Sequence, residues 1–128
     1  MSVTERFLRY ISYDTQSNED SSTIPSTSKQ WALSNVLYEE CLSLFDQVEQ
    51  GKDGIIYATL EATKVDDAIG FLAHMDTATE ISGANVSPQR IQDYEGQSIS
   101  LKNGLVIDPE IYPALKQCIH CLLYTSPS

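Results

Sequence analysis

The sequence predicts an α/β domain in which helices pack on a mixed β-sheet. Three observations indicate this class: two stretches near the start repeat apolar residues at helical spacing, residues 48–60 are typical of two strands joined by a tight turn, and residues 68–73 form an unbroken apolar run. A run that does not alternate favours a central strand covered on both faces. At 128 residues the chain is one domain or part of one.

The first helix is predicted from residue 2 onward. Residues 2–5 fit a capping box, in which a hydroxyl and a carboxylate satisfy reciprocal backbone donors. The helix is expected to stop near Tyr13, because Ser, Thr, Asn and Asp dominate residues 14–28. Apolar residues at helical spacing form one face of this helix: Val3, Phe7, Tyr10 and Ile11.

A second helix is predicted after the polar stretch. Residues 27–30 form another capping box after Pro25. Within the polar stretch, three residues are expected to cap and close the loop rather than to touch a substrate: Asp14, Thr15 and Ser17. The apolar face of the second helix is expected to contain Leu33, Leu37, Cys41 and Leu44.

The strands follow. Residues 51–54 are a turn-rich tetrad between Val48 and the strand predicted at residues 55–60. A polar connection containing Asp66 and Asp67, read as a solvated turn, leads to the central strand at residues 68–73. Beyond it, short strands are predicted around residues 89–91 and 98–101, and a helical turn is predicted to open at Asp108 and to run through Tyr112 to Ile119.

His74 and Asp76 end the predicted central strand. Ligands bind at the carboxyl ends of strands in open α/β sheets, and strand residues two apart point to the same face. Neutral imidazole is a favoured zinc ligand, and a carboxylate nearby can accept its other N–H. The pair is therefore a candidate metal site. The alternative is a surface strand end, with His74 hydrogen-bonded and Asp76 starting a turn.

Charge and composition exclude some classes. Eighteen acidic and eight basic residues leave a net charge of −10, without a basic stripe that could replace phosphate counterions, so no nucleic acid partner is expected. The first residues lack the apolar core of a signal peptide and no stretch is long enough to span a membrane, so a cytoplasmic protein is predicted. Cys118, Cys121 and the intervening His120 lack a second ligand pair and are read as ordinary residues.

Four stretches of the chain resemble the N-terminal part of the M20 metallopeptidase family, within it the tripeptide aminopeptidases. They cover about residues 5–117, in order and at consistent spacing. The stretches are ERFLRYISYDTQS with its Asp-Thr-x-Ser element, IPSTSKQW, AIGFLAHMDT, and SGANVSPQRIQDYEGQSISL.

The resemblance implies the N-terminal portion of a zinc-peptidase catalytic domain at residues 1–120, incomplete at this length. It implies two zinc ions in the complete active site, with His74 as a metal ligand and Asp76 as a catalytic residue that supports the histidine. It also implies tripeptide substrates and a full-length protein that forms a homodimer. Asn85 either approaches the site or forms a turn. Residues 121–128 depart from the family pattern and are expected to be a non-native tail.

The family's remaining ligands and its general-base glutamate are expected beyond this chain, so weak or no zinc binding and no activity are predicted for the fragment itself. Two alternatives stay open. One is another M20 amidohydrolase, such as a dipeptidase or a deacylase. The other is a small non-catalytic binding domain, complete at this length, which would need a closed core.

Overall fold

The computed structural model describes residues 1–64 and 67–125, and the chain divides into two compact units, Met1–Ala84 and Asn85–Ser128. The described part mixes helices with three two-stranded antiparallel sheets. This architecture agrees with the predicted α/β class at that coarse level.

Helix α1 (Val3–Tyr10) begins with the predicted capping box. The Ser2 hydroxyl accepts from the Glu5 N–H at 3.2 Å, and the Glu5 carboxylate accepts from the Ser2 N–H at 2.6 Å. These bonds satisfy two backbone donors that the first turn of a helix cannot pair internally. The first helix is therefore confirmed, although it ends at Tyr10 and continues only as a turn to Tyr13.

Helix α2 (Gln30–Cys41) is confirmed, but its predicted capping box is wrong. The N-cap residue is Lys29, which makes no side-chain cap bond. The Thr27 hydroxyl donates instead to the Gln16 carbonyl at 2.8 Å, so it is committed to the preceding loop. The helix also ends three residues before Leu44, since the chain turns after Cys41 to enter the first strand.

Glu40 ties the two helices together. The Tyr10 hydroxyl donates to Glu40 Oε2 at 2.8 Å, and the Arg6 guanidinium pairs with Glu40 Oε1. The Arg6 and Tyr10 hydrogen bonds hold the pKa of Glu40 below its usual range. Burial and the hydrogen bond to Glu40 raise the pKa of Tyr10 to about 12. The neutral phenol and the ionised carboxylate are thus the forms that this contact stabilises.

The predicted hairpin is confirmed as strands β1 (Gln47–Gln50) and β2 (Ile56–Thr59), which pair antiparallel. Gly54 in the connecting turn has a φ of 79°, a conformation that glycine adopts without steric cost. The buried Ser34 hydroxyl of α2 donates to the Gly54 carbonyl at 2.7 Å. This bond fixes the turn against the helix, beside the buried Leu33.

The predicted central strand at residues 68–73 is wrong. The structure assigns no strand there, and no described residue pairs with it. Ile69, Phe71 and Leu72 are 83%, 94% and 100% exposed. Nothing among the described residues lies within 4 Å of a Cβ added at Gly70. An apolar run forms a central strand only when neighbouring strands satisfy its backbone and cover its faces.

The described residues of the second unit, 85–125, form four short strands and a 3-10 helix. The predicted strands near residues 89–91 and 98–101 are confirmed, while two further strands were not predicted. The predicted helical turn is present as the 3-10 helix, and Tyr94 and Ile99 are buried. The elements are β3 (Gln89–Ile91), β4 (Ile99–Ser100), β5 (Val106–Ile107), the 3-10 helix (Pro113–Cys118) and β6 (Leu123–Thr125).

Strand β4 pairs with β5, and β3 pairs with β6, both antiparallel. Part of the segment at residues 121–128 thus takes part in a sheet, while its last three residues lie outside the described part of the chain. The expectation that this segment is non-native stays a prediction. Among the residues that the structure describes, no helix has the length and apolar character needed to cross a membrane.

The Tyr10–Glu40 contact predicts an alkaline loss of stability. Because the pKa of Tyr10 is raised to about 12, its contribution is complete below pH 10 and declines as the phenol ionises between about pH 10 and 12. The free energies of unfolding of the parent chain and of Tyr10→Phe, measured in urea, should therefore become more similar as the pH rises across this range. Subtracting the ultraviolet titration of Tyr10→Phe from that of the parent chain isolates the ionisation of Tyr10. An ionisation near pH 10 in this difference would contradict the contact.

Candidate functional site

His74 and Asp76 lie directly after the exposed apolar segment, and their side chains meet. His74 Nδ1 lies 2.9 Å from the Asp76 carbonyl oxygen and 3.2 Å from Asp76 Oδ1. The histidine side chain is 85% exposed, while the aspartate side chain is 48% exposed. The two residues therefore form a contact at the surface of the first unit, and the histidine is the more exposed of the two.

The two oxygens beside Nδ1 determine which nitrogen of neutral His74 carries the hydrogen. A backbone carbonyl and an ionised carboxylate both accept hydrogen bonds and cannot donate. Nδ1 must therefore carry the hydrogen to bond with either of them. Nε2 then keeps its lone pair, on a ring that is largely open to solvent.

The second carboxylate oxygen of Asp76 has its own partner. The Ser17 hydroxyl donates to Asp76 Oδ2 at 2.6 Å. This hydrogen bond lowers the pKa of Asp76, the contact with His74 lowers it further, and partial burial acts in the opposite direction. Asp76 is thus held in its ionised form, which is the form that accepts from both neighbours.

A parallel bridge between Gln16 and Thr77 brings Ser17 to Asp76. The Thr77 N–H donates to the Thr15 carbonyl at 3.1 Å, and the Ser17 N–H donates to the Thr77 carbonyl at 2.9 Å. The Gln16 side chain adds a bond from Nε2 to the Thr79 carbonyl at 2.7 Å. Residues 15–17 therefore bond to residues 77–79, which follow Asp76, at several points.

Asp14 orders this holding segment. Its Oδ1 accepts from the Gln16 N–H at 3.1 Å, and its Oδ2 accepts from Lys29 Nζ at 2.9 Å. The Lys29 ammonium and then the Gln16 N–H hold the pKa of Asp14 below its usual range. Gly83 passes close by, and a Cβ added there would lie 3.1 Å from Asp14 Oδ1 and 3.2 Å from Thr77 Oγ1.

Asp14 and Thr15 have the predicted loop-closing role. Ser17 closes the loop and also contacts Asp76. Thr15 is 2% exposed and bonds through its backbone, as a structural residue does. Ser17 contacts Asp76, a role that the spacing of the residues did not reveal. The signal that could have found it is the Asp-Thr-x-Ser element, which places this hydroxyl in the same family pattern as the His74 motif.

An open polar groove of about 500 Å³ adjoins this site. Its walls include Ser17 and residues on both sides of the parallel bridge. Three carboxylates and one ammonium line it, so its charge balance is acidic. The charged lining residues are Glu19, Asp20, Glu80 and Lys29.

For the other candidate residues, the structure gives local features. Asn85 has a φ of 57°, so the predicted turn-forming role describes its backbone. His120 Nδ1 contacts Asp93 Oδ1 at 2.7 Å in the second unit. Asp66 lies outside the described residues, and Asp67 is exposed. The cysteines are free thiols.

The donor chemistry of the pair fits one position of a zinc site. An exposed Nε2 lone pair is a donor that zinc accepts from histidine, and Asp76 contacts the opposite nitrogen, Nδ1. The number of donors is smaller than a zinc site needs, because three or four ligands hold the ion. Among residues 1–64 and 67–125, no group of three or more His, Cys, Asp or Glu side chains is placed to hold a metal.

The link through Asp14 predicts a local effect on the bridge. Replacing Asp14 with Asn removes the ion pair with Lys29, and a partly exposed pair of this kind contributes at most about 1 kcal/mol. The Thr77 N–H, which bonds to Thr15, should then exchange with solvent up to roughly fivefold faster. Amide exchange measured by NMR tests this, with exposed Asp20→Asn as the matched control. Equal rates in both variants would show that Asp14 does not support the bridge.

Comparison with known proteins finds relatives that are named peptidase T. Peptidase T of Desulfitobacterium hafniense strain Y51 is 46% identical over 129 residues, covering 98% of this chain and 32% of that protein. Peptidase T of Staphylococcus epidermidis is 42% identical, covering 96% of the chain and 31% of the relative. Peptidase T of Lysinibacillus sphaericus is also 42% identical, covering 97% and 31%.

No family model matches the chain. The chain spans about a third of the length of the curated relatives that it matches. The matched third is the N-terminal one, as the resemblance of the four stretches led us to expect. Along nearly all of its length, the chain is homologous to the N-terminal third of proteins named peptidase T.

Proposed function

We propose that this chain is the N-terminal portion of the catalytic domain of a zinc-dependent aminopeptidase that removes the N-terminal residue from tripeptides. The observation that carries the proposal is the 42–46% identity to proteins named peptidase T over nearly the whole chain. That name favours a tripeptide aminopeptidase over the two alternatives, another M20 amidohydrolase or a non-catalytic binding domain.

In this proposal His74 is a zinc ligand through Nε2. Support comes from the two acceptors at Nδ1, which leave the Nε2 lone pair available, and from the exposure of the ring. Asp76 is the catalytic-site carboxylate that keeps this tautomer and strengthens the imidazole as a donor. It remains ionised at neutral pH, because the Ser17 hydroxyl and His74 both lower its pKa.

The remaining zinc ligands and the general base come from residues beyond this sequence. When bound, two zinc ions would supply Lewis-acid polarisation of the scissile carbonyl and activation of water. The contribution of this chain is to hold one imidazole in the correct tautomer and orientation. The groove lined by Ser17 provides polar surface beside the residue that contacts Asp76, where a short peptide can approach.

The same proposal covers the domain boundaries, location and partners. Residues 1–120 would belong to the catalytic domain and residues 121–128 would be a non-native tail. The full-length protein would be a cytoplasmic homodimer with short peptides as its substrates. The family resemblance supports the domain, the substrates and the dimer, whereas the departure of residues 121–128 from the family pattern supports the tail. The location is supported by first residues that lack the apolar core of a signal peptide.

The isolated chain should not hydrolyse tripeptides. It supplies one proposed zinc ligand, and zinc bound by a single imidazole is not retained. The measurement is release of the N-terminal residue from a tripeptide after zinc is added, with full-length protein as the positive control. Turnover by the isolated chain would show that these residues contain a complete active site.

In the full-length protein, His74→Ala should lower kcat/KM for a tripeptide by at least about a hundredfold, because loss of even the residues that support a metal ligand costs up to that much. His120→Ala is the matched control, since the His120 side chain is exposed and contacts Asp93 in the second unit. Unchanged turnover by His74→Ala would remove His74 from the site and overturn the proposed function.

A further inference from the structure

We infer that Ser17 is a positioning residue for the His74–Asp76 pair. Its hydroxyl holds one oxygen of the Asp76 carboxylate, so that the other oxygen stays beside His74 Nδ1 and Nε2 remains the free donor. The significance of this role for catalysis rests on the proposed function. The positioning itself is a property of this chain and can be measured without zinc or substrate.

The first step of the argument is the division of one carboxylate between two partners. Ser17 Oγ lies 2.6 Å from Asp76 Oδ2, while His74 Nδ1 lies 3.2 Å from Asp76 Oδ1. A carboxylate held at one oxygen cannot rotate without breaking that bond. The Ser17 bond is the shorter of the two, so it restrains the orientation in which the longer contact with His74 forms.

The second step concerns how Ser17 itself is held. Its backbone N–H donates to the Thr77 carbonyl at 2.9 Å, which fixes its Cα next to the residue that follows Asp76. Its hydroxyl also lies 2.8 Å from the same carbonyl. A serine hydroxyl has one hydrogen to donate, and a charged carboxylate is the stronger acceptor. Ser17 is therefore fixed by the backbone bridge, and its hydroxyl in turn restrains the Asp76 side chain.

The third step concerns why the His74 ring needs a restraint on its tautomer. His74 is 85% exposed, so packing does not fix its ring, and a free imidazole exchanges between two tautomers. The Asp76 carbonyl, at 2.9 Å, also favours the Nδ1–H tautomer. The carboxylate adds a charged acceptor on the same side, but only while it stays oriented. One hydrogen bond contributes about 1 kcal/mol, which corresponds to a roughly fivefold change in the tautomer ratio.

The test is the tautomer ratio of His74, measured from long-range proton–nitrogen NMR spectra at about pH 8, which is above the pKa of a model imidazole. The chain has two histidines, so His120 serves as an internal reference in every spectrum. Ser17→Ala should lower the Nδ1–H to Nε2–H ratio of His74 by roughly fivefold and leave His120 unchanged. Ser17→Thr, which keeps a hydroxyl, should restore the parent ratio. Exposed Ser22→Ala is the matched control.

An unchanged His74 ratio in Ser17→Ala would overturn the inference, because the Asp76 carbonyl alone would then hold the tautomer. A Ser17→Thr variant that behaves like Ser17→Ala would overturn it as well, since the hydroxyl would not be responsible. If Ser17→Ala loses its folded amide spectrum, Ser17→Cys replaces it, because a thiol is similar in size but a weaker donor. The Nδ1–H to Nε2–H ratio of His74 should then also fall.

The outcomes for Ser17 and for the proposed function are distinguishable. If the His74 ratio responds to Ser17 as expected while His74→Ala leaves tripeptide hydrolysis intact in the full-length protein, the positioning role stands and the proposed function fails. If His74→Ala abolishes hydrolysis but the ratio does not respond, only the role of Ser17 is overturned.

Discussion

The short parallel bridge between Gln16 and Thr77 is the constraint on which the candidate site depends. Its two backbone hydrogen bonds join segments that are about sixty residues apart in the sequence. A contact at that separation has a loop-closure cost, so it persists only with support from its neighbours. Here the Asp14–Lys29 ion pair and the Gln16 side chain give that support. The Ser17–Asp76 contact exists because the bridge brings those residues together.

Local features could be predicted from the sequence, because the residues that form them are adjacent. The capping box of α1 needs a hydroxyl and a carboxylate three positions apart, and both bonds are present. The β1–β2 hairpin needs turn residues between two strands, and Gly54 provides the required backbone conformation. The second capping box failed for a nonlocal reason. Thr27 has the right neighbours, but its hydroxyl is bonded to the Gln16 carbonyl.

Features that need distant partners could not be predicted in the same way. The run at residues 68–73 has the composition of a central strand, but no described strand lies beside it. The His74–Asp76 contact was predicted from strand geometry, yet it forms without a strand. The imidazole instead contacts both the backbone and the side chain of a residue two positions on. Ser17 was missed as a contact because nothing in its local spacing indicates Asp76.

The uncovered side chains of Ile69, Phe71 and Leu72 have a consequence for the behaviour of the chain in solution. With a net charge of −10, copies of the chain repel one another at low ionic strength, where this repulsion reaches far. At physiological ionic strength the screening length shortens to about 8 Å. Copies can then approach closely enough for these three side chains to meet. Acidity and exposed apolar segments such as this one therefore act in opposite directions on the solubility of the isolated chain, and added salt favours self-association.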